Sequence, residues 1–316
     1  MKMQILVPHW QEDIYGIAPL LNSITMQQGI SMDDIGVIIA HDGPDAAKLD
    51  FPVKYPFKIE QVSLPEKMGV SAARNLALDN ATADYVMFCD SDDMFINMLA
   101  LYTIQYMAKE GDFDVMRSVF LEEEWREEGV VFTKHEDDMT FVHGKVYRRE
   151  YLIENDIRFN PELTVHEDSY FVTLALEFAT VNVKCDEVLY LWKCNPKSIS
   201  RTDPHYMPHT YCNLMDSFDA IADKMIERGR EYRAAEFSWY TMLFSWHWLT
   251  RPFWKGCDED KARAEMRVAR ILEKYREMWR KVPDERKVAL DAGVPKLENE
   301  KLPDFAEWYA SIENLL

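Results

Sequence analysis

The stretch Asp-Tyr-Val-Met-Phe-Cys-Asp-Ser-Asp-Asp, residues 84–93, passes from apolar sequence directly into carboxylates. Residues 85–89 are apolar or aromatic without a gap, which is typical of a strand buried on both faces of a parallel sheet. Asp90, Asp92 and Asp93 follow at once, and like charges this close together require solvent or a cation. Mg²⁺ and Mn²⁺ prefer carboxylate oxygens and fill their other positions with water and phosphate oxygens. Asp90-Ser91-Asp92 therefore predicts a metal and diphosphate site, with an acidic turn as the alternative.

Two earlier strand-like runs also end next to polar residues. Residues 3–7 are an apolar run closed by Pro8, and residues 35–40 are a second apolar run followed by His41 and Asp42. In open α/β sheets, ligands bind at the carboxyl ends of the strands. Asp42 and Asp90 are therefore predicted to lie on one side of one crevice. Asp42 could instead simply begin a turn with the glycine that follows it.

Residues 67–78 read as a glycine turn that opens an alanine-rich helix. The first turn of such a helix offers free backbone N–H groups and a positive dipole end to an anion. Lys67 and Arg74 add formal positive charge to the same segment. The segment predicts a phosphate-binding helix, and the alternative is a packing helix whose arginine pairs with an aspartate.

Length and composition point to a large folded core. The chain has 316 residues, of which 47% are hydrophobic, and a formal net charge of −19. A field of that sign repels polyanions, so nucleic acid would need a local basic patch. We find no run of about 18 apolar residues that would predict a membrane-spanning helix. The five cysteines are scattered without a Cys-x-x-Cys pair, which favours reduced thiols and a cytoplasmic location.

The order of these motifs resembles family 2 glycosyltransferases with the GT-A fold. The resemblance implies an α/β protein with a Rossmann-like mixed sheet flanked by helices. It further implies that Asp42 contacts the nucleotide base, that Arg74 borders the nucleotide, and that Asp90 and Asp92 hold Mn²⁺ or Mg²⁺ on the diphosphate. The family commonly has a second aspartate before Asp42, where this chain has His41.

The resemblance extends to the acceptor side. Residues 142–149 are similar to the Gly-Lys-x-Tyr segment of the family, and Glu167-Asp168 matches its acidic pair at the start of a helix. The family places its catalytic base at the second acid, so Asp168 is the predicted base and Glu167 the residue that orients the acceptor or the loop. Helix capping by either acid is the alternative.

A third resemblance covers residues 198–201, which are similar to the Ser-x-Ser-Arg loop that borders the donor diphosphate. His205 follows and is predicted to complete the metal shell, since imidazole suits Mn²⁺ better than Mg²⁺; the alternative is an ordinary surface histidine. The predicted donor-binding residues are Pro8, Asp42, Lys67, Arg74, Asp90, Ser91, Asp92, Ser200 and Arg201.

From about residue 205 onward the sequence changes to long helical patterns that are rich in aromatic residues. Residues 1–205 are predicted to form the catalytic domain, with a nucleotide-sugar half at 1–95 and an acceptor half at 96–205. Residues 206–316 are predicted to form a helical region, whose many aromatics favour a core over a sugar-stacking cleft. In the segment 261–282, five cations share one stripe that is either a solvated face or a surface for a phosphate backbone, an anionic lipid or an acidic partner. They are Arg263, Arg267, Arg270, Lys274 and Lys281.

Together these patterns predict a metal-dependent inverting glycosyltransferase that moves a sugar from a nucleotide-diphosphate donor, a UDP-sugar, to a hydroxyl acceptor. One alternative is a transferase that acts on hydroxymethylated nucleic-acid bases through the basic stripe. The others are a nucleotidyltransferase, which needs no acidic pair on the acceptor side, and a nucleotide-sugar-binding protein without activity.

Overall fold

A computed structural model describes residues 1–44, 48–294 and 302–316. The chain divides into two compact units, Met1–Pro196 and Lys197–Leu316. The first unit holds a mixed sheet flanked by helices, and the second is helical. The predicted domain boundary near residue 205 stays a prediction.

The first unit is built on a nine-stranded sheet among the described residues, in the order β3-β2-β1-β4-β8-β6-β9-β5, with β7 paired to β6. The strands are β1 Met3–His9, β2 Ile35–His41, β3 Lys58–Ser63, β4 Tyr85–Phe88, β5 Met94–Phe95, β6 Val115–Arg126, β7 Gly129–His135, β8 Lys145–Arg148 and β9 Asn182–Trp192.

The strands β3, β2, β1 and β4 run parallel, and the apolar runs of β1, β2 and β4 predicted three of them. Met3 lies opposite Ile35 on one side and Tyr85 on the other, so the carboxyl ends of these strands meet at one edge. Pro8 does not close β1 as predicted, because the strand continues to His9. The pairing of β1 with β4 stops at Leu6, and a strand with an unpaired edge tolerates a proline that lacks an N–H.

Helices cover both the parallel and the antiparallel parts of the sheet. In the first unit they are α1 Ile14–Thr25, α2 Val70–Asn80, α3 Ala100–Glu110, α4 Arg149–Glu154 and α5 Glu167–Phe178. Asp13 caps α1 by accepting from the N–H groups of Tyr15 and Gly16. The predicted helix over 67–78 begins at Val70, after Gly69 in a left-handed conformation (φ 91°).

The antiparallel half was predicted less completely. The sequence patterns described above do not predict β6, which runs to Arg126 and forms a hairpin with β7. The charged run Glu122–Glu124 hid the second half of this strand, because a strand with two partly solvated faces lacks the apolar signal of a core strand. The Gly-Lys-x-Tyr segment forms β8, which lies buried between β4 and β6.

The second unit consists of helices in its described part. They are α6 Ile199–Thr202, α7 Tyr206–Glu227, α8 Glu231–Leu249, α9 Asp258–Trp279, α10 Asp284–Ala292 and α11 Phe305–Glu313. Aromatic pairs join them, with ring centroids 5.3 Å apart for Trp239 and Trp279 and 5.1 Å apart for Trp246 and Phe305. The aromatics therefore form a core, as the safer of the two interpretations predicted. No helix among the described residues is both long and apolar enough to cross a bilayer.

The basic stripe on α9 is not a free row of cations. Arg267 donates to Asp216 and Asp219 of α7, and Lys274 donates to Asp219 and Asp223. Arg263 pairs with Asp260. Helix α7 thus neutralises much of the charge that the helical pattern of α9 presents. Three of the five cations thus face acids, which weakens the interpretation of the stripe as a surface for a phosphate backbone; that interpretation stays a prediction.

Candidate active site

Asp42 lies at the end of β2 and is buried. Its Oδ1 accepts hydrogen bonds from the backbone N–H groups of Met68 (2.7 Å) and Gly69 (2.9 Å). The carboxylate therefore fixes the loop that leads into α2, the helix predicted to face the phosphates. Its predicted contact with a nucleotide base stays a prediction.

Gly43 allows Asp42 to reach the backbone N–H groups of Met68 and Gly69. Its φ of 97° favours glycine, and a Cβ atom here would stand 2.7 Å from the backbone nitrogen of Lys67. Any side chain would push the two loops apart and pull Asp42 away from its donors. The turn interpretation of Asp42 and Gly43 thus fits the structure, and the donor-site interpretation of Asp42 stays a prediction.

A buried pair of histidines lies at the ends of β1 and β2. Nδ1 of His9 and Nδ1 of His41 are 2.9 Å apart. The outer nitrogen of His41 faces Oε1 of Gln61 at 3.0 Å, and that of His9 faces the carbonyl oxygen of Glu12 at 2.7 Å. Both outer nitrogens must donate, so a proton between the two Nδ1 atoms would give the pair one positive charge. Sequence reasoning noted His41 only as a departure from the family pattern.

Lys67 lies at the surface of the same region. Its Nζ stands 3.9 Å from the centre of the Trp10 ring, a cation–π contact. Trp10 follows β1 directly. Sequence reasoning singled out Lys67 for its charge but missed Trp10, because a lone aromatic after a strand carries no pattern.

The turn after β4 holds the predicted metal residues. The Oδ2 atom of Asp92 accepts from the amide of Asn195 at 2.8 Å, and Ser91 is buried beside it. Burial and the charge of Asp90 raise the pKa of Asp92. An added positive charge near these two carboxylates would lower the electrostatic cost of ionising them both.

Asp93 holds the turn after β4 against the core of the first unit. It is fully buried, and it accepts from the hydroxyl of Tyr190 (2.6 Å) and the backbone N–H of Lys193 (2.8 Å). Burial, with the charges of Asp90 and Asp92, raises its pKa well above the usual range. Both oxygens of Asp93 thus already accept hydrogen bonds, and its role is to hold the turn in place.

Arg74 connects the donor side to the acceptor side. Its buried guanidinium donates to Asp90 (2.9 Å), Glu167 (2.9 Å) and Asp168 (2.6 Å). Burial alone would lower the pKa of Arg74, but the three carboxylates raise it. Burial raises the pKa of Asp90, and Arg74 reverses that shift so that the net change is downward. One cation thus faces three acids, which leaves the cluster net negative.

Glu167 and Asp168 form the first turn of α5, as predicted, but neither caps it. The N-cap is His166, which adopts a left-handed conformation (φ 61°). Such a conformation is uncommon for a non-glycine residue and is concentrated at functional sites. Burial lowers the pKa of His166 to about 4, and burial raises the pKa of Glu167 to about 7. The N-cap position thus belongs to His166, both acids lie in the first turn of α5, and the catalytic role of the pair stays a prediction.

Asn75 holds the segment that leads to α5. Its amide nitrogen donates to the carbonyl of Phe159 at 2.8 Å, and its amide oxygen accepts from the N–H of Phe159 at 3.0 Å. The adjacent residues Arg74 and Asn75 thus bind α5 and the backbone before it. The Arg-Asn sequence on α2 thus contributes two side chains that connect this helix to the acceptor side.

The turn after β4 suits a divalent cation. Asp90, Asp93 and His143 offer ligand atoms within 4.8 Å of one another, and Nδ1 of His143 is buried without a hydrogen-bond partner among the described residues. However, Asp93 is already bound by Tyr190, and both Asp93 and His143 are closed off from solvent. Asp90 and Asp92 are partly exposed, and their oxygens fit a hydrated Mg²⁺ or Mn²⁺ better.

The remaining predicted residues belong to the second unit. Ser200 and Arg201 lie in the short helix α6, and His205 is the N-cap of α7. Nδ1 of His205 stands 3.3 Å from Sγ of Cys257. Their predicted places beside the diphosphate and the metal stay predictions.

Comparison with known proteins decides the family. Residues 4–155 match the sequence model of the family Glycosyl transferase family 2. This part of the chain belongs to that family. The match spans β1 to α4, and thus the strand ends, Arg74 and the Asp90–Asp92 turn. The family predicted from the motifs is confirmed.

Two curated relatives are similar to this chain over more residues than the family model matches. The poly(ribitol-phosphate) β-N-acetylglucosaminyltransferase TarS of Staphylococcus aureus is 30% identical over 237 residues, which are 70% of this chain and 39% of TarS. A poly(ribitol-phosphate) β-glucosyltransferase of Bacillus spizizenii is 27% identical over 254 residues, 74% of this chain and 39% of that protein. The chain thus spans well under half the length of these curated relatives.

A solved structure confirms the predicted fold class. The structure of S. aureus TarS 1–349 in complex with UDP-GlcNAc superimposes with a TM-score of 0.59 at 18% identity, covering 96% of this chain and 99% of that one. At this identity the likeness shows the fold. It is the GT-A fold of family 2, a mixed sheet flanked by helices with a helical C-terminal region.

Proposed function

We propose that this chain is a metal-dependent inverting glycosyltransferase that moves a sugar from a UDP-sugar to a hydroxyl group. One observation carries the proposal: Arg74 brings Asp90 of the donor-side turn and Asp168 of α5 onto the same guanidinium. A transferase needs its leaving group and its base at one reaction centre. Asp90 and Asp168 are far apart in the sequence, and this contact brings their side chains together.

Asp168 is the base in this proposal. Its Oδ1 accepts from Arg74 at 2.6 Å, while its Oδ2 has a longer contact of 3.4 Å to the N–H of Val142. That second oxygen has capacity for the proton of the acceptor hydroxyl. As the proton leaves, the hydroxyl oxygen forms a bond to the anomeric carbon and the bond from that carbon to the diphosphate oxygen breaks. Attack from the opposite face inverts the configuration.

Asp90 and Asp92 would hold the divalent cation. When bound, the cation offsets the charge that develops on the leaving diphosphate. The chain's own residues keep this arrangement rigid: Asn195 donates to Asp92, and Asp93 anchors the turn through Tyr190. Arg74 holds Asp90 in line with α5, and the partly protonated Glu167 reduces the negative charge around it.

The relatives suggest the acceptor. Both named relatives act on poly(ribitol-phosphate), so a hydroxyl of a polyol-phosphate polymer is the acceptor we propose. The alternative of a nucleic-acid base is weaker, because aspartates of α7 already bind Arg267 and Lys274. A nucleotidyltransferase needs no catalytic base on the acceptor side, so it would not use the acidic pair of α5.

Products distinguish these functions. The protein is incubated with a panel of nucleotide sugars and Mn²⁺, with and without ribitol-phosphate oligomers. We expect acceptor-dependent release of UDP and a glycosylated oligomer of inverted anomeric configuration by NMR. Release of pyrophosphate would indicate nucleotidyl transfer instead. Binding of the donor without any product across the panel would favour a binding protein.

The metal assignment has its own test. Asp92→Asn should abolish Mn²⁺-stimulated turnover while the midpoint of thermal unfolding stays the same, because Asp92 is partly exposed and its loss leaves no buried charge unpaired. Asp186→Asn is the matched control, since that carboxylate is 86% exposed on β9. Full Mn²⁺ stimulation in Asp92→Asn would show that the ion is held elsewhere.

A further inference from the structure

A second group of metal-ligating side chains lies in the helical unit, where helices α7 and α9 begin. His209 on the first turn of α7, Cys257 at the N-cap of α9 and Asp260 on its first turn offer ligand atoms that all lie within 4.8 Å of one another. This set combines imidazole, thiolate and carboxylate. The predicted donor site uses none of these three residues.

The tautomer of His209 is fixed for metal binding. Its Nδ1 lies 2.7 Å from Oδ2 of Asp203, so Nδ1 carries the proton and donates it there. The lone pair therefore sits on Nε2, which stands 3.8 Å from Oδ2 of Asp260. A carboxylate that orients a histidine through its second nitrogen is the usual partner of a metal-binding imidazole.

Cys257 supplies the sulfur. It is buried, and its thiol lies 3.3 Å from Nδ1 of His205. Asp203 and Asp258 add negative charge nearby. A dication that replaces the thiol proton would therefore meet a favourable field.

The geometry points to a zinc site with His209 Nε2, Cys257 Sγ and Asp260 Oδ2 as ligands and water in the fourth position. Tetrahedral bonds of about 2.0 to 2.3 Å place ligand atoms about 3.3 to 3.8 Å apart, so small side-chain rotations close the set. Asp260 also pairs with Arg263 through Oδ1, which leaves Oδ2 for the ion. The ion would fasten the start of α7 to the start of α9.

Cobalt is the probe that tests this proposal. The full chain is treated with chelator, dialysed and titrated with Co²⁺, whose thiolate complexes give a near-ultraviolet charge-transfer band. We expect one equivalent of Co²⁺ to produce the band and one equivalent of Zn²⁺ to remove it. Absence of the band at saturating Co²⁺, or a band of exposed-site Co²⁺ without sulfur, would overturn the proposal.

Variants locate the ligands. Cys257→Ser should abolish the band and His209→Gln should weaken Co²⁺ binding at least tenfold, while Cys212→Ser should leave it unchanged, because Cys212 is a free cysteine of α7 outside this set. His209 is half exposed, so its variant folds. Zn²⁺ should raise the unfolding temperature of the wild type and not of Cys257→Ser. A band retained in Cys257→Ser would contradict the assignment.

Discussion

Arg74 is the residue that determines the charge of the candidate site. It is buried to 3% exposure and donates to acids on two different elements. Arg74→Lys should keep the fold but lower turnover by about 10²-fold, because one ammonium cannot reproduce the forked contacts of a guanidinium. Turnover at saturating donor and thermal unfolding measure the two effects.

Arg74→Met provides the contrast. It leaves Asp90, Glu167 and Asp168 without their shared cation, and breaking a buried pair costs about 3 to 5 kcal/mol. We expect a large loss of stability in urea unfolding. Equal stability of Arg74→Met and Arg74→Lys would show that the ion pairs are not what holds this cluster together.

Glu167 gives the site a measurable pH dependence. Burial, with the charge of Asp168, raises its pKa from 4.5 to about 7. The folded state thus binds a proton more tightly than the unfolded state, so the free energy of unfolding falls as pH rises from 4.5 to 7. Glu167→Gln carries no such proton, and we expect it to gain stability over the wild type across that window.

Urea unfolding of both proteins at pH 5 and pH 8 checks this expectation. Only the difference between the wild type and the variant is compared, because other groups titrate in the same range. The same difference in the free energy of unfolding at pH 5 and pH 8 would mean that folded Glu167 is ionised at both pH values.

At the scale of elements, Asn75 of α2 holds the backbone of Phe159, in the segment that leads to α5. The side chain of Asn75 makes two hydrogen bonds to the backbone of Phe159, and buried groups left without partners cost about 1 to 3 kcal/mol. Asn75→Ala should therefore lower stability by about that amount and also lower turnover, since α5 carries Asp168.

Asn80→Ala is the matched control for that prediction. Asn80 lies on the same helix, and its amide donates to the carbonyl of Leu76 within that helix. We expect the control to change stability and turnover little. Loss of turnover in both variants alike would mean that α2 as a whole, and not the link to α5, supports the activity.

The sequence predicted the elements whose patterns are local. The apolar runs that end in Asp42 and Asp90 are parallel strands, and the glycine turn before Arg74 does open a helix. The ion pairs of Arg74 with the acids of α5 span more than 90 residues. The hydrophobic periodicity of a sequence gives no information about contacts between residues so far apart in the chain.

The same limit explains the misread features. The hairpin of β6 and β7 escaped prediction because the second half of β6 is charged and because β7 is short and largely solvated. The stripe on α9 was visible, but the aspartates of α7 that pair with it lie about 50 residues away. A helical wheel shows the face of one helix and gives no information about the helix opposite.

At the scale of the whole molecule, the net charge of −19 should govern encounters with a charged acceptor. A polyanionic polyol phosphate is repelled at long range, and salt screens that repulsion, with a Debye length of about 8 Å at 0.15 M. We expect KM for the polymer to fall as ionic strength rises from about 0.01 to 0.15 M. KM for neutral ribitol should stay constant, and a polymer KM that rises with salt would indicate a local basic surface.

The proposed mechanism depends most on Asp168 as the base. Donor binding by calorimetry with Mn²⁺ and turnover with a competent acceptor are compared for the wild type and Asp168→Asn. We expect Asp168→Asn to lose turnover by about two to four orders of magnitude, the usual contribution of a general base, with donor affinity nearly unchanged. Near-normal turnover in Asp168→Asn would contradict this mechanism.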